Sequence, residues 1–178
     1  LLAERKKNST NQKPVDLKPY AAWEFNGDLK STVGNLPLKS SGNVTFKDGQ
    51  VVLNRGFLES PKLPISLKAK TLEVWFSIPN LDQRGGGVMG TQGPGDFFDT
   101  IVLGERQNRH WISGSNGFAR TLDFPGSTPE TAVNQPIHLA MVYLEDGTTL
   151  LYRNGVPYGK PFRRNRATFP KNQTSIIC

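Results

Sequence analysis

The stretch TTLLYRNGVPYGKP (residues 148–161) sets an Asn-Gly pair, Asn154 and Gly155, between two runs of β-branched, aromatic and apolar residues. Both central residues of a type I′ turn need positive φ, which Asn and Gly adopt most readily, so the stretch predicts a two-residue β-hairpin. Just upstream, IHLAMVYL (137–144) runs into the turn residues Glu145, Asp146 and Gly147, and the three segments together predict an antiparallel meander. Further upstream, TLEVWFS (71–77) alternates: Leu72, Val74 and Phe76 fall on one face, and Thr71, Glu73, Trp75 and Ser77 on the other.

Turn signals recur along the chain, among them Asn26-Gly27-Asp28, Lys47-Asp48-Gly49 and Gly114-Ser115-Asn116-Gly117. Between them lie short runs that read as strands at 21–25, 43–46, 50–54, 57–60, 86–91, 98–103, 109–113 and 118–124, with QTSIIC (173–178) as the last. Pro or Gly interrupts every long window, so no helix is expected beyond one turn in NLDQRG (80–85). Many short strands at this spacing predict an all-β antiparallel sandwich with little or no helix. The 178 residues suffice for one such domain; residues 1–19, charged and polar with two prolines, read as a linker or tail before a domain over 20–178.

The net charge of +7 is unevenly spread. Residues 1–20 carry +3, residues 21–146 carry −2, and residues 147–178 hold six Lys/Arg and no acid. Arg153, Lys160, Arg163, Arg164 and Arg166 make a basic segment suited to sulfated glycans or to plain solvation. Only Tyr158 and Phe162 accompany it, too few for base stacking, so nucleic acid is not expected. No apolar run reaches the ~18 residues a membrane helix needs, so no direct membrane insertion is expected. The single cysteine, Cys178, allows no internal disulfide and no CxxC site.

Three segments resemble one family. AAWEFNGDLKSTVGNLPLK (21–39), KTLEVWFSIP (70–79) and QPIHLAMVYLEDGTTLLYRNGVPYG (135–159) resemble the strand and hairpin motifs of laminin G-like, concanavalin A-like domains, and their order along the chain strengthens the resemblance. NLDQRGGGVMGTQ (80–92), FDTIVLGERQNRHWISGSNGFART (98–121) and YRNGVPYGKPFR (152–163) resemble the laminin G-like module of large planctomycete proteins that also carry cytochrome c-like domains. The resemblance implies a concanavalin A-like jelly roll and a non-catalytic recognition module of a larger extracytoplasmic bacterial protein, binding carbohydrate or packing against neighbouring domains. It also implies an excised middle module, consistent with an opening Leu in place of Met, and a further strand after QTSIIC, which is expected to be either cut away or carried by residues outside this sequence.

Chemistry-bearing constellations are few. Glycoside hydrolysis needs two carboxylates about 5–10 Å apart facing one cleft. No E-x-D-x-E occurs, Asp96 and Asp99 are three apart, and a turn separates Glu24 from Asp28, so no enzyme is expected. The two histidines, His110 and His138, lack a nucleophile elbow, and His138 reads as a strand histidine with its ring hydrogen-bonded. The glycine-rich RGGGVMGTQGPG (84–95) lacks the Lys-Ser/Thr of a phosphate cradle. The resemblance implies one rim Ca²⁺ as a candidate cofactor, with Asp28, Asp96 and Asp99 as candidate ligands. The densest polar and aromatic stretch, ERQNRHWISGSNGFAR (105–120), supplies Glu105, Arg106, Arg109, His110, Trp111, Asn116 and Arg120 as candidate ligand-binding residues, with Trp111 as a sugar-stacking platform or a core residue. Asn8, Asn43 and Asn172 head N-x-[ST] sequons that matter only in a eukaryotic secretory protein.

Overall fold

A computed structural model describes residues 17–165 and 167–178. Most of the linker reading, the sequon at Asn8 and the basic residue Arg166 lie outside the described residues. Among the described residues eleven strands form in chain order: β1 (Lys39–Lys47), β2 (Gln50–Glu59), β3 (Lys70–Phe76), β4 (Gly86–Gln92), β5 (Phe98–Leu103), β6 (Trp111–Ser115), β7 (Ile137–Tyr143), β8 (Thr148–Arg153), β9 (Val156–Pro157), β10 (Phe162–Arg163) and β11 (Thr174–Ile177). They build two antiparallel sheets. One has six strands in the order β1-β2-β11-β4-β5-β6; the other runs β10-β8-β7-β3, with β9 beside β8. The all-β sandwich expected from the turn spacing is the fold observed.

The deciding hairpin forms as its chemistry requires. Asn154 and Gly155 take φ of 52° and 80°, the left-handed pair of a type I′ turn, and Tyr152 faces Pro157 across it. The Asn154 side chain also accepts the His138 backbone N–H at 2.9 Å, which ties the turn to β7. Lys47-Asp48-Gly49-Gln50 makes the second tight hairpin, joining the three separately expected strands at 43–46, 50–54 and 57–60 into the long pair β1–β2.

Three expectations are corrected. Residues 21–25 form no strand, only an isolated bridge between Ala22 and Val33, although Trp23 and Phe25 still pack on the core. Residues 118–124 are not a strand either: a 3-10 turn over Asn116–Phe118 redirects the chain, and Thr121 donates its hydroxyl to the Ser113 carbonyl at 2.7 Å. That side-chain bond takes up an acceptor on the free edge of β6, one way of blunting an edge against unwanted pairing. Residues 80–85 bend rather than turn helically, with the Asn80 side chain accepting the Asp82 backbone N–H at 3.2 Å. The last strand, β11, pairs on both sides, with β2 and with β4, and so sits in the middle of the six-stranded sheet.

Alternation assigns the faces. Leu72, Val74 and Phe76 of β3 turn inward with Ile137, Leu139 and Met141 of β7 and Leu151 of β8. They meet Met89, Ile101, Leu103 and Trp111 from the six-stranded sheet, and Ile101, Trp111, Ile137, Leu139 and Met141 have no measurable exposure. Burial of this layer supplies the main driving force for folding.

Candidate functional site

Trp111 is a core residue. It ends the inner row of β6, fully buried, with Phe76 meeting it edge-on at 5.5 Å. Its indole N–H donates to Glu130 at 2.9 Å, and its backbone N–H donates to the Tyr158 hydroxyl at 3.1 Å. Tyr158 in turn donates to the Thr128 carbonyl at 2.7 Å. Glu130 is itself buried and accepts two bonds from Arg153, both at 2.7 Å, and the backbone N–H groups of Thr131 and Ala132, both at 2.9 Å. Burial alone pushes the Glu130 carboxyl up, but the Arg153, Trp111 and backbone donors outweigh it and hold the pKa at about 2. One carboxylate meets one guanidinium with its acceptors filled, an arrangement that fixes a loop to a sheet and offers nothing to a ligand. The expected stacking platform at Trp111 is therefore corrected.

The other residues of that stretch divide between two ends of β6. Arg106 pairs with Asp123 at 3.2 Å and lies over the Phe118 ring at 5.6 Å. Arg109 reaches Asp82 at 3.6 Å, His110 Nδ1 lies 3.1 Å from the Ser127 hydroxyl, and Glu105 is exposed. At the far end, Arg120 turns inward to Asp99 at 2.9 Å, the Phe98 carbonyl at 2.7 Å and the Asn116 side chain at 3.1 Å. Asp99, with 1% exposure, also receives the Lys70 ammonium. Burial pulls the Lys70 pKa below its usual range, with Asp99 opposing that shift.

The structure does not gather the three candidate calcium ligands into one site. A Ca²⁺ site needs six to eight oxygens with carboxylates free to ligate. Asp99 is already occupied by two cations, Asp28 caps its own turn through the Lys30 backbone N–H at 2.9 Å, and Asp96 stands in an exposed loop. Among the described residues no cluster of three His, Cys, Asp or Glu side chains is placed to hold a metal.

The surface with the chemistry of a binding site is the outer face of the five-stranded sheet. Register sets Trp75 beside His138, and Glu73, Ala140, Tyr152 and Pro157 in the next row across. Trp75, 46% exposed, stacks on the His138 ring with centroids 4.6 Å apart and planes 29° from parallel. His138 Nε2 lies 2.8 Å from Glu73 Oε1, the hydrogen-bonded strand histidine that the sequence predicts. Ala140 leaves the space between Trp75 and Tyr152 low, and an open depression of about 180 Å³ continues past Tyr152 between Leu150, Pro157, Gly159 and Pro161. Glu73 is the one carboxylate in these rows, so the face lacks the acid pair of a glycosidase. The signal for this face was present in the sequence: Trp75 is the residue of TLEVWFS that breaks the polar side of the alternation.

No protein-family model and no curated protein sequence matches the chain. Solved structures do match in fold. Domain 4 of AbnA, a GH43 extracellular arabinanase from Geobacillus stearothermophilus, in complex with arabinotriose, has a TM-score of 0.60 and 20% identity, covering 88% of this chain and 92% of that one. The binding domain of Botulinum Neurotoxin DC in complex with SialylT has a TM-score of 0.51 and 13% identity over 88% of this chain and 44% of its own. HCR/D-Sa-GBL1/C has a TM-score of 0.57 and 12% identity over 88% and 45%. At these identities the likeness is one of β-sandwich fold.

Proposed function

We propose that the chain is a non-catalytic carbohydrate-binding module whose ligand lies on the outer face of the five-stranded sheet. The observation that carries this reading is Trp75, a large aromatic surface left in solvent yet held flat by its stack on His138. The CH face of a pyranose or furanose covers such a ring, the His138 and Glu73 polar atoms stand beside it for sugar hydroxyls, and Tyr152 lies further along the next row of the same face. That a sandwich of this kind takes an oligosaccharide in the arabinanase domain supports the reading. The wider setting we propose is a larger extracytoplasmic bacterial protein, in line with the laminin G-like resemblance.

A second reading has its own observation. Val142, Leu150 and Pro157 continue the same face as apolar surface, which suits packing against a neighbouring domain. A glycan array probed with the wild type and with Trp75→Ala separates the two. Binding by the wild type that is lost in Trp75→Ala, by about 30-fold as for a central aromatic contact, supports the carbohydrate reading. A wild type silent across the array supports the packing reading.

A further inference from the structure

Lys70 and Arg120 converge on one carboxylate, that of Asp99, at the end of the inter-sheet layer remote from Trp111. Lys70 opens β3 and Asp99 stands near the start of β5, whereas Phe76 and Leu103 end those strands beside Trp111. The side chains are largely withdrawn from water, with exposures of 8% for Lys70, 12% for Arg120 and 2% for Asp99. Two buried cations therefore share one buried anion, and a buried surplus of charge is costly unless something offsets it. Aromatic faces offset part: Lys70 Nζ lies 4.3 Å from the Tyr143 centroid and 4.0 Å from that of Phe169, and Arg120 lies 4.4 Å from that of Phe97. The surplus is not local to the floor. A cleft above the cluster is lined by Lys68, Lys70, Arg120 and Arg164, with Asp99 the one acidic residue among its walls. Among the described residues the ion pair of Lys68 is a solvent-exposed contact to Glu145 at 3.9 Å, and no acidic partner stands within ion-pair distance of the Arg164 guanidinium.

We propose that this cleft is an oxyanion-binding site, taking the sulfate or carboxylate group of an acidic glycan or the free ion. Its water-sized room is about 20 Å³. That volume is enough for about one oxygen-sized group and too little for a sugar ring. The anionic oxygen enters toward Lys70 and Arg120, and the rest of the ligand stays at the mouth beside Arg164. A singly charged carboxylate or sulfate-ester group balances the 2:1 cluster, free sulfate also draws on Lys68 and Arg164 at the walls, and Arg presents the planar, multi-donor geometry that both groups match. The site is separate from the Trp75 face: Lys70 points inward at one end of β3, and Trp75 points outward near the other.

The test is thermal unfolding of the full chain in sodium sulfate against sodium chloride at matched ionic strength, followed by titration of a sulfated disaccharide and its unsulfated parent. Sulfate is expected to raise Tm by about 2–4 °C where chloride does not. Lys70→Met, which leaves Asp99 and Arg120 as a balanced pair, is expected to abolish the response, and Arg164→Gln to weaken it about tenfold, since one charge at the mouth is lost. Trp75→Ala is expected to leave it unchanged. If Lys70→Met does not fold, the exposed Arg164 variant decides alone. Tighter binding of the sulfated disaccharide than of free sulfate assigns the glycan as the source; equal binding assigns the free ion. Equal stabilisation by chloride, or a sulfate response undiminished in both variants, overturns the proposal.

Discussion

Trp111 and Trp75 sit in neighbouring parts of one sandwich and meet opposite fates. Trp111 is packed against Phe76, bonded to Glu130 and sealed from water; Trp75 lies on the outside of the adjoining sheet, stacked on His138 and 46% exposed. Most of the polar residues crowded around Trp111 in sequence are held by partners within the fold (Arg106 by Asp123, Arg109 by Asp82, His110 by Ser127, Arg120 by Asp99), so their density marks a structural joint. The sparse surroundings of Trp75 mark an open surface. A cluster of hydrogen-bonding residues near an aromatic is thus no guide to a site until it is known whether those groups already satisfy one another.

The strongest way to break the comparison is at Trp111. Trp111→Ala removes a fully buried ring and strips Glu130 of a donor, with an expected loss of about 3–5 kcal/mol in chemical denaturation. A loss below about 1 kcal/mol is incompatible with a core role. Glu130→Gln comes next. It leaves Arg153 without its carboxylate in a half-buried position, an expected cost of about 2–3 kcal/mol, toward the lower end for a broken buried pair. The same residue gives a pH signature. Its folded pKa of about 2 lies below the ordinary 4.5, so its stabilisation is complete above pH 4.5 and is lost as pH falls from there through about 2. Stability measured over that window is expected to fall less steeply in Glu130→Gln than in the wild type; identical slopes would sink the assignment.

Smaller effects sharpen the Trp75 side. Gly155→Ala forces a side chain into φ of 80° at the turn that registers Tyr152 against Pro157, an expected cost of about 1–2 kcal/mol by equilibrium unfolding. No change would mean that the turn does not hold that register. Trp75→Ala is expected to shift stability by less than about 1 kcal/mol, because its ring is half in water already. A loss as large as that of Trp111→Ala would make it a structural residue too.

Much of the fold was legible because strand alternation and turn chemistry are local. Asn154-Gly155, Asp48-Gly49 and the inward set Leu72, Val74 and Phe76 all behave as their residue types dictate. The 118–124 segment was misread because Thr121 satisfies β6 with its hydroxyl rather than its backbone, which no period of hydrophobicity records. The site was legible only in fragments. Asp99 and Arg120 were named for different roles and meet in space, while Lys70, distant by 29 residues from Asp99, was missed because partnership across sheets leaves no mark in local sequence. From sequence alone Trp111 reads either as a platform or as core, because its decisive partner, Glu130, lies 19 residues downstream.

The claim that the ligand face is the outer surface of the five-stranded sheet is tested most directly by one set of binding isotherms. The glycan that the wild type binds best is titrated into wild type, Trp75→Ala and a Glu105→Ala/Arg109→Ala variant of the exposed loop. The expected result is an affinity about 30-fold weaker in Trp75→Ala and unchanged in the loop variant. Full affinity in Trp75→Ala with loss in the loop variant would contradict it and return the site to the loop before Trp111.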